Sequence, residues 1–190
     1  MGAVPQYYWD TCVFIAHLGD ERDAHGSLID DIGQFLSEAQ RGECIIHCST
    51  ITIAEITRSN IRGGHNFDEF MQLWGGGIVP TTPDPNTMRT ASELRSLIYS
   101  KTNGTRKLHT PDAIHLATAI TLMDTYGVHL DKFHTFDTGK KRDPDEGKGV
   151  PLLGYDLWCE KCADDPLARK IIDLEREQPQ HPAKGLDLDG

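Results

Sequence analysis

The chain has 190 residues, of which 38% are hydrophobic, and a formal net charge of -10. This length and apolar content suffice for one packed domain, and no stretch approaches the roughly 18 uncharged apolar residues that a membrane helix needs. The first six residues lack the basic start and apolar run of a signal peptide, so the expected location is cytoplasmic. The acidic excess argues against a surface that binds nucleic acid by charge alone, although part of it lies in the tail after Cys162.

The first half of the chain alternates between strand and helix signals. An aromatic run predicts the first strand, and apolar residues at helical spacing predict the helices that follow. In chain order, we expect a strand at 7–9, helices at 12–18 and 28–41, a strand at 44–48, helices at about 49–60 and at 66–74, and a strand at 78–82.

The second half continues the alternation, which predicts a mainly parallel sheet flanked by helices. Its clearest signal is a helix start at which Thr110 caps and Pro111 takes the first helical position. We expect a helix at 85–101, a polar loop at 101–107, a helix from Thr110, a strand at 133–136, a charged loop at 138–149, a strand at 150–155, a helix at 166–177 and disorder at 178–190. The predicted organisation is a domain at 1–158 and a C-terminal extension at 159–190.

The five cysteines predict free thiols, because an odd number without an export signal does not suit a disulfide framework. Cys44 and Cys48 lie in an apolar run and are expected to be buried. Cys159 and Cys162 have the spacing of half a zinc site, but neither a second such pair nor a pair of histidines lies near them. Burial is therefore the favoured interpretation of this pair as well.

Four acidic residues occupy positions that a parallel sheet brings together. Asp10 and Asp137 end predicted strands, whereas Glu55 and Asp112 lie in the first turns of predicted helices. Ligand sites in such sheets form at the carboxyl ends of the strands, so the four side chains are expected to converge. Clustered carboxylates repel one another unless a cation compensates, and an oxygen-only set favours Mg²⁺ or Mn²⁺. Such a site suits phosphodiester cleavage.

Each acid also has a simpler interpretation. Thr52 and Glu55 match a capping box, in which the glutamate bonds back to its own helix terminus. Asp112 is placed to complement a helix dipole, and Asp10 and Asp137 are common turn residues. Taken singly, none of them establishes a site.

Four segments contain these acids and together resemble the acidic motifs of PIN-domain nucleases, most closely the VapC-like members. The segments are residues 8–16 (YWDTCVFIA), 49–56 (STITIAEI), 108–119 (LHTPDAIHLATA) and 134–137 (HTFD). The third is the most specific, and the resemblance spans about residues 7–158. The aromatic run before Asp10, the glycine-rich segment after Trp74 and the tail from Cys159 depart from the family pattern.

The resemblance implies an α/β, PIN-like three-layer fold with Asp10, Glu55, Asp112 and Asp137 as catalytic, metal-binding acids. It implies a metal-dependent endoribonuclease that hydrolyses RNA with Mg²⁺ or Mn²⁺, the toxin of a toxin–antitoxin pair. A protein antitoxin and a homo-oligomer are the partners that it implies besides RNA.

Substrate contacts are expected around this site. The hydroxyls of Thr11 and Thr135 adjoin two of the acids and either orient a ligand or make ordinary turn hydrogen bonds. Two basic loops flank the acids, and either contact phosphates or are simply solvated. They comprise Lys140, Lys141, Arg142 and Lys148 after Asp137, and Lys101, Arg106 and Lys107 before Asp112. For His109 and His115, packing or a polar contact is favoured over catalysis.

Two other functions compete with the nuclease. One is a catalytically silent PIN-like module for nucleic-acid binding or assembly, against which the retention of all four acids counts. The other is an aspartyl-phosphate phosphatase, which is disfavoured because residue 12 is a cysteine where such an enzyme has a second aspartate.

Overall fold

The computed structural model describes residues 3–62, 67–74, 76–102, 104–139 and 149–182. Its strands are β1 Gln6–Trp9, β2 Ile45–Ser49, β3 Ile78–Thr81, β4 Tyr99–Lys101, β5 Gly104–Arg106, β6 Lys132–His134 and β7 Arg176–Glu177. Five of them form one sheet in the order β3-β2-β1-β6-β7 with parallel pairings throughout, and β4 and β5 form a separate antiparallel hairpin.

Helices cover both faces of the sheet, so the expected three-layer α/β architecture is confirmed. The α-helices are α1 Thr11–Leu18, α2 Arg22–His25, α3 Leu28–Gln40, α4 Ile51–Glu55, α5 Phe67–Trp74, α6 Pro85–Ser96, α7 Thr110–Asp124 and α8 Pro166–Asp173. One core lies between the sheet and α6, α7 and α8, and the other packs against α1, α3 and α5. Among the described residues, no helix is both long and apolar enough to cross a bilayer.

The aromatic strand β1 lies at the centre of the sheet. Tyr8 faces one core and stacks on Phe133 with ring centroids 4.7 Å apart. Tyr7 and Trp9 face the opposite core, where the ring of Phe35 forms T-shaped pairs with both of their rings. Successive side chains of a strand point to opposite faces, and both faces of this sheet are covered. A continuous aromatic run therefore fits a central strand.

Several predicted boundaries are wrong. The helix expected at 49–60 ends at Glu55, the helix expected at 85–101 ends at Ser96, and α7 is capped by His109 rather than by Thr110. The polar loop expected at 101–107 contributes to the β4–β5 hairpin. Residues 150–155 do not form a strand; a 3₁₀ helix follows at Tyr155–Trp158. The expected loop at 138–149 lies mostly outside the described residues.

The chain beyond residue 158 adds a helix and an edge strand. Helix α8 ends at Asp173, and the predicted helical continuation is instead β7, which pairs with β6. Disorder was expected from residue 178, but Pro179 is buried and the imidazole of His181 packs on Phe35. The disorder prediction is thus wrong for residues 178–182, whereas residues 183–190 lie outside the described part of the chain.

All five cysteines are free thiols, as expected, and Cys44 and Cys48 are buried in the core. Cys159 and Cys162 are buried as well, and the Cys159 thiol donates a hydrogen bond to the carbonyl oxygen of Tyr155 at 3.3 Å. Both belong to the core that also contains residues of α7 and α8. Their burial agrees with the favoured interpretation of this pair.

Helix α8 begins at a side-chain cap that offers a test of its contribution to stability. The Asp165 carboxylate accepts hydrogen bonds from the backbone N–H groups of Leu167 at 2.9 Å and Ala168 at 3.2 Å. We expect Asp165→Ala to lower the free energy of unfolding by about 1 kcal/mol, the usual value of a lost N-cap. Chemical denaturation measures this, with the exposed neighbour Asp164→Ala as a control that changes little. Equal effects of the two substitutions would contradict the prediction.

Candidate functional site

The carboxyl ends of β1, β2 and β6 meet at one edge of the sheet. The chain first moves from β1 to β2 on one side and later places β6 on the other side of β1, so a switch point lies between β1 and β6. Open α/β sheets bind ligands outside such a point. Asp10 directly follows β1, and Asp137 lies three residues beyond β6.

Asp10 is held by three short contacts and is only 7% exposed. It caps α1, and its carboxylate accepts hydrogen bonds from the Thr11 N–H at 2.7 Å and the Thr135 hydroxyl at 2.8 Å. The Cys12 thiol donates a third at 3.1 Å. These donors fix the carboxylate at the sheet edge.

Glu55 is the last residue of α4, not a first-turn residue, so the capping-box interpretation is wrong. Its carboxylate turns to the switch point, where it accepts a hydrogen bond from the Thr11 hydroxyl at 2.6 Å and lies 3.0 Å from His115 Nε2. Burial acts to raise the pKa of Glu55, but the hydrogen bonds from His115 and Thr11 outweigh it and lower that pKa. Glu55 is therefore held as an anion.

Asp112 is the third residue of α7 and experiences the charges of the other three acids. Burial raises its pKa to about 8, and the carboxylates of Asp10, Asp137 and Glu55 contribute to that rise. A carboxylate that merely complemented the helix dipole would be stabilised as an anion instead. The other three acids are therefore close enough to act on Asp112 through their charges, and the four form a loose acidic cluster.

Asp137 also performs the turn role considered above. One carboxylate oxygen accepts from the N–H of Gly139 at 2.8 Å, and the other accepts from the N–H of Leu152 at 3.0 Å. The Asp137 N–H in turn donates to the Thr135 hydroxyl at 3.0 Å. Turn formation and membership of the cluster are both compatible with this position.

His115 links α7 to β1, to α1 with its N-cap Asp10 and to α4, and it is 1% exposed. Its Nδ1 lies 3.0 Å from the Tyr8 hydroxyl, and its Nε2 lies 3.0 Å from the Thr11 hydroxyl and 3.4 Å from an Asp10 oxygen. Burial acts to lower the pKa of His115, but its hydrogen bond to Glu55 and the charge of Asp10 outweigh it and raise that pKa. The favoured prediction of packing or a polar contact holds, but the contact is with the acids themselves.

The two threonines predicted beside the acids are buried within the same network. Thr11 is 4% exposed and Thr135 is 0% exposed. The Thr11 hydroxyl contacts Glu55 and His115, and that of Thr135 donates to Asp10. In this structure, both hydroxyls position acidic side chains.

The basic loops are only partly described. Lys140, Lys141, Arg142 and Lys148 lie outside the described residues. Lys101 and Lys107 are exposed, whereas Arg106 stacks on Trp158 at 4.1 Å and donates to the carbonyl oxygen of Gly149 at 3.0 Å. Along the chain, Lys101 ends β4, Arg106 ends β5 and Lys107 follows β5.

The cluster suits a hard divalent cation by its donor chemistry, since it offers carboxylate oxygens and an unfavourable excess of negative charge at Asp112. Within the described residues, however, no three His, Cys, Asp or Glu side chains stand as a preformed metal-binding group. Asp10 and Glu55 are turned towards His115, and Asp137 is turned towards backbone N–H groups. Binding of a cation would therefore require these side chains to reorient.

No family model matches the chain, and no curated protein is significantly similar to it. The resemblance to PIN-domain nucleases stays a prediction from the four motifs.

Proposed function

We propose that the chain is a metal-dependent endoribonuclease that hydrolyses RNA phosphodiester bonds at the cluster of Asp10, Glu55, Asp112 and Asp137. The observation that carries the proposal is the placement of these acids at the carboxyl ends of the strands, where Asp10 and Glu55 oxygens lie 3.4 and 3.0 Å from His115 Nε2. In agreement with this placement, burial and the other three acids raise the pKa of Asp112 to about 8. Carboxylates that repel one another in this way are stabilised in their charged forms by a bound cation. When bound, Mg²⁺ or Mn²⁺ supplies an activated water and neutralises charge on the phosphate.

The protein's own residues hold the acids for this role. Thr135 and Cys12 hold Asp10, and Thr11 and His115 hold Glu55, so both carboxylates are kept at the same edge of the sheet. A bound cation would draw the two side chains out of these hydrogen bonds without moving the backbone far. Asp112 is the acid whose proton must leave when a cation enters.

The choice of RNA, the role as a toxin, a protein antitoxin and a homo-oligomer are supported by the motif resemblance alone, and a cytoplasmic location stays a prediction from the sequence. The silent-module alternative predicts RNA binding without cleavage, so one assay separates the two.

The proposal is tested by incubating the purified chain with labelled RNA, and with DNA of the same sequence, in Mg²⁺ or Mn²⁺. We expect internal cleavage of RNA, its loss in excess chelator and its return when metal is added in excess. An Asp112→Asn preparation made in parallel identifies a contaminating nuclease, which would cleave in both samples. Binding of RNA without cleavage in either metal would overturn the nuclease and favour the silent module.

A further inference from the structure

A groove lined by cationic side chains opens beside the start of α7. It lies between the end of α6, the β4–β5 hairpin and the N-terminus of α7, and its volume is about 740 Å³. It is lined by Arg95, Leu97, Ile98, Tyr99, Thr105, Arg106, Lys107 and His109. Three of these side chains are cationic, one is an imidazole and none is a carboxylate.

That charge contrasts with the rest of the molecule, whose formal net charge is -10. A comparable cleft between α7 and α8 contains Asp124, Asp131 and Asp173, and a cleft on α3 contains Asp30 and Glu38. Both of these clefts also contain a cation, Lys170 in the first and Arg41 in the second, whereas the groove beside α7 has cations and no carboxylate. A groove whose charged side chains are all cationic favours an anionic ligand.

Two of the groove cations are placed to meet a ligand, and one is not. Arg95 and Lys107 are exposed. Arg106 is half-buried, because its guanidinium stacks on Trp158 and donates to the Gly149 carbonyl oxygen. Arg106 is therefore part of the groove wall, whereas Arg95 and Lys107 are the cations available to contact a ligand.

The groove also presents apolar and ring surfaces beside these charges. Ile98 is 60% exposed, and Leu97 is partly buried next to it. His109, the last of the lining residues in chain order, is also exposed. Phosphates with unstacked bases and riboses offer the matching chemistry, whereas a duplex hides its base faces.

The groove adjoins the acidic cluster through α7. His109 caps this helix and Asp112 is its third residue, so the two are separated by about 4.5 Å along the helix axis at 1.5 Å per residue. Lys107 pairs with Gly149, whose Cα faces the His109 ring: a Cβ there would lie 3.3 Å from it. A strand lying in the groove would therefore reach the start of α7, within one helical turn of Asp112.

We infer that this groove binds the sugar–phosphate backbone of single-stranded RNA next to the bond that is cleaved, through Arg95 and Lys107, with Ile98 and His109 contacting the adjoining nucleoside. The inference rests on the proposed function and extends it to a substrate path. It differs from the sequence prediction by adding Arg95 from α6 and by removing Arg106 and Lys101 from the set that contacts substrate.

The test is fluorescence anisotropy with labelled single-stranded RNA in chelator, which prevents cleavage, over a range of salt concentrations. Arg95→Ala/Lys107→Ala is compared with Arg89→Ala/Arg169→Ala, which removes the same charge at exposed positions outside the groove. We expect the Kd of the groove variant to be about tenfold higher or more. The slope of its log Kd against log salt should be smaller by about 1.4, because each of the two lost phosphate contacts contributes about 0.7. The control variant should keep the wild-type slope.

Equal losses in the two double variants would overturn the groove, because only overall charge would then matter. Equal binding of duplex RNA would overturn its preference for a single strand, and absence of RNA binding by the wild type would overturn the inference entirely. If the wild type cleaves RNA and the groove variant binds RNA as tightly as the wild type does, the proposed function stands and the groove is rejected. The converse, groove-dependent binding without cleavage in metal, would reject the nuclease alone.

Discussion

Replacing Asp112 by asparagine is expected to slow metal-dependent RNA cleavage at least about a thousandfold and, without metal, to stabilise the protein. A bound cation contributes several kcal/mol to stabilising charge in the transition state, and about 1.4 kcal/mol corresponds to a factor of ten in rate. Asparagine keeps the shape of the side chain but removes the negative charge that a cation compensates. Initial rates of cleavage in Mg²⁺ and in Mn²⁺ measure the first effect.

The gain in stability follows from the raised pKa of Asp112. Its ordinary pKa is 3.8, and burial with the neighbouring acids raises it to about 8 in the folded protein. Between these two values the folded state holds a proton that the unfolded state has lost, so the free energy of unfolding falls as pH rises. Asparagine has no such proton to lose. We expect the variant to exceed the wild type by several kcal/mol at pH 8, with a ceiling of about 6 kcal/mol at about 1.4 kcal/mol for each of about four pKa units, and by much less near pH 5.

Chemical denaturation in chelator at several pH values measures this difference. Asp124→Asn is the matched control, because Asp124 ends the same helix but is exposed and paired with Lys170. Burial lowers the pKa of His134 to about 3, which gives an opposite pH trend, but that trend is common to both proteins and cancels in the comparison. A less stable Asp112→Asn protein at pH 8 would contradict the electrostatic account, and a stable variant that still cleaves would remove Asp112 from the site.

Elements that are apolar and clearly bounded could be predicted from the sequence. Strand β2 is a short buried run, and α7 is buried on nearly all sides after a Thr-Pro start, so local composition is sufficient for both. The β4–β5 hairpin could not be predicted in this way, because its residues are polar and it is supported by distant contacts such as that of Arg106 with Trp158. Strand β7 has two residues and exists by pairing with the edge of β6. Such elements depend on tertiary structure.

The candidate site divides along the same line. Asp10 and Asp137 could be placed from strand ends, and the helix start placed Asp112, because each position follows from local pattern. The orientation of Glu55 could not be predicted, because its carboxylate is turned to the cluster by Thr11 of α1 and His115 of α7, which are distant in sequence. His115 itself stands three residues after Asp112 on α7, a spacing that puts both on one face of the helix. That spacing was the available signal, but a histidine within an apolar helix gives no indication of its partners.

His115 is predicted to hold the cluster together, and His115→Ala is expected to lower the free energy of unfolding by about 3–5 kcal/mol. Alanine would leave the Tyr8 hydroxyl without its partner at Nδ1 and would leave the Glu55 and Asp10 carboxylates without the imidazole at Nε2. Chemical denaturation measures the loss. His129→Ala, at an exposed histidine, is the control and should change stability little.

The effect of pH separates charge from packing. Burial acts to lower the pKa of His115, but Glu55 and Asp10 raise it above 6.5, so the charged part of its stabilisation is complete below pH 6.5 and is lost as pH rises through the folded pKa. The difference between the wild type and His115→Ala should therefore shrink towards pH 9, whereas a packing role alone would leave it constant.

A conservative variant separates positioning from stability. His115→Gln retains an amide donor for Glu55, so it should recover part of the lost stability and most of the affinity for Mn²⁺, measured by titration with the metal alone. His115→Phe fills the same space without a donor and should bind Mn²⁺ about 10- to 100-fold more weakly, the usual cost of losing a group that orients metal ligands. Equal Mn²⁺ affinity of the Gln and Phe variants would show that His115 fills space and does not orient the acids.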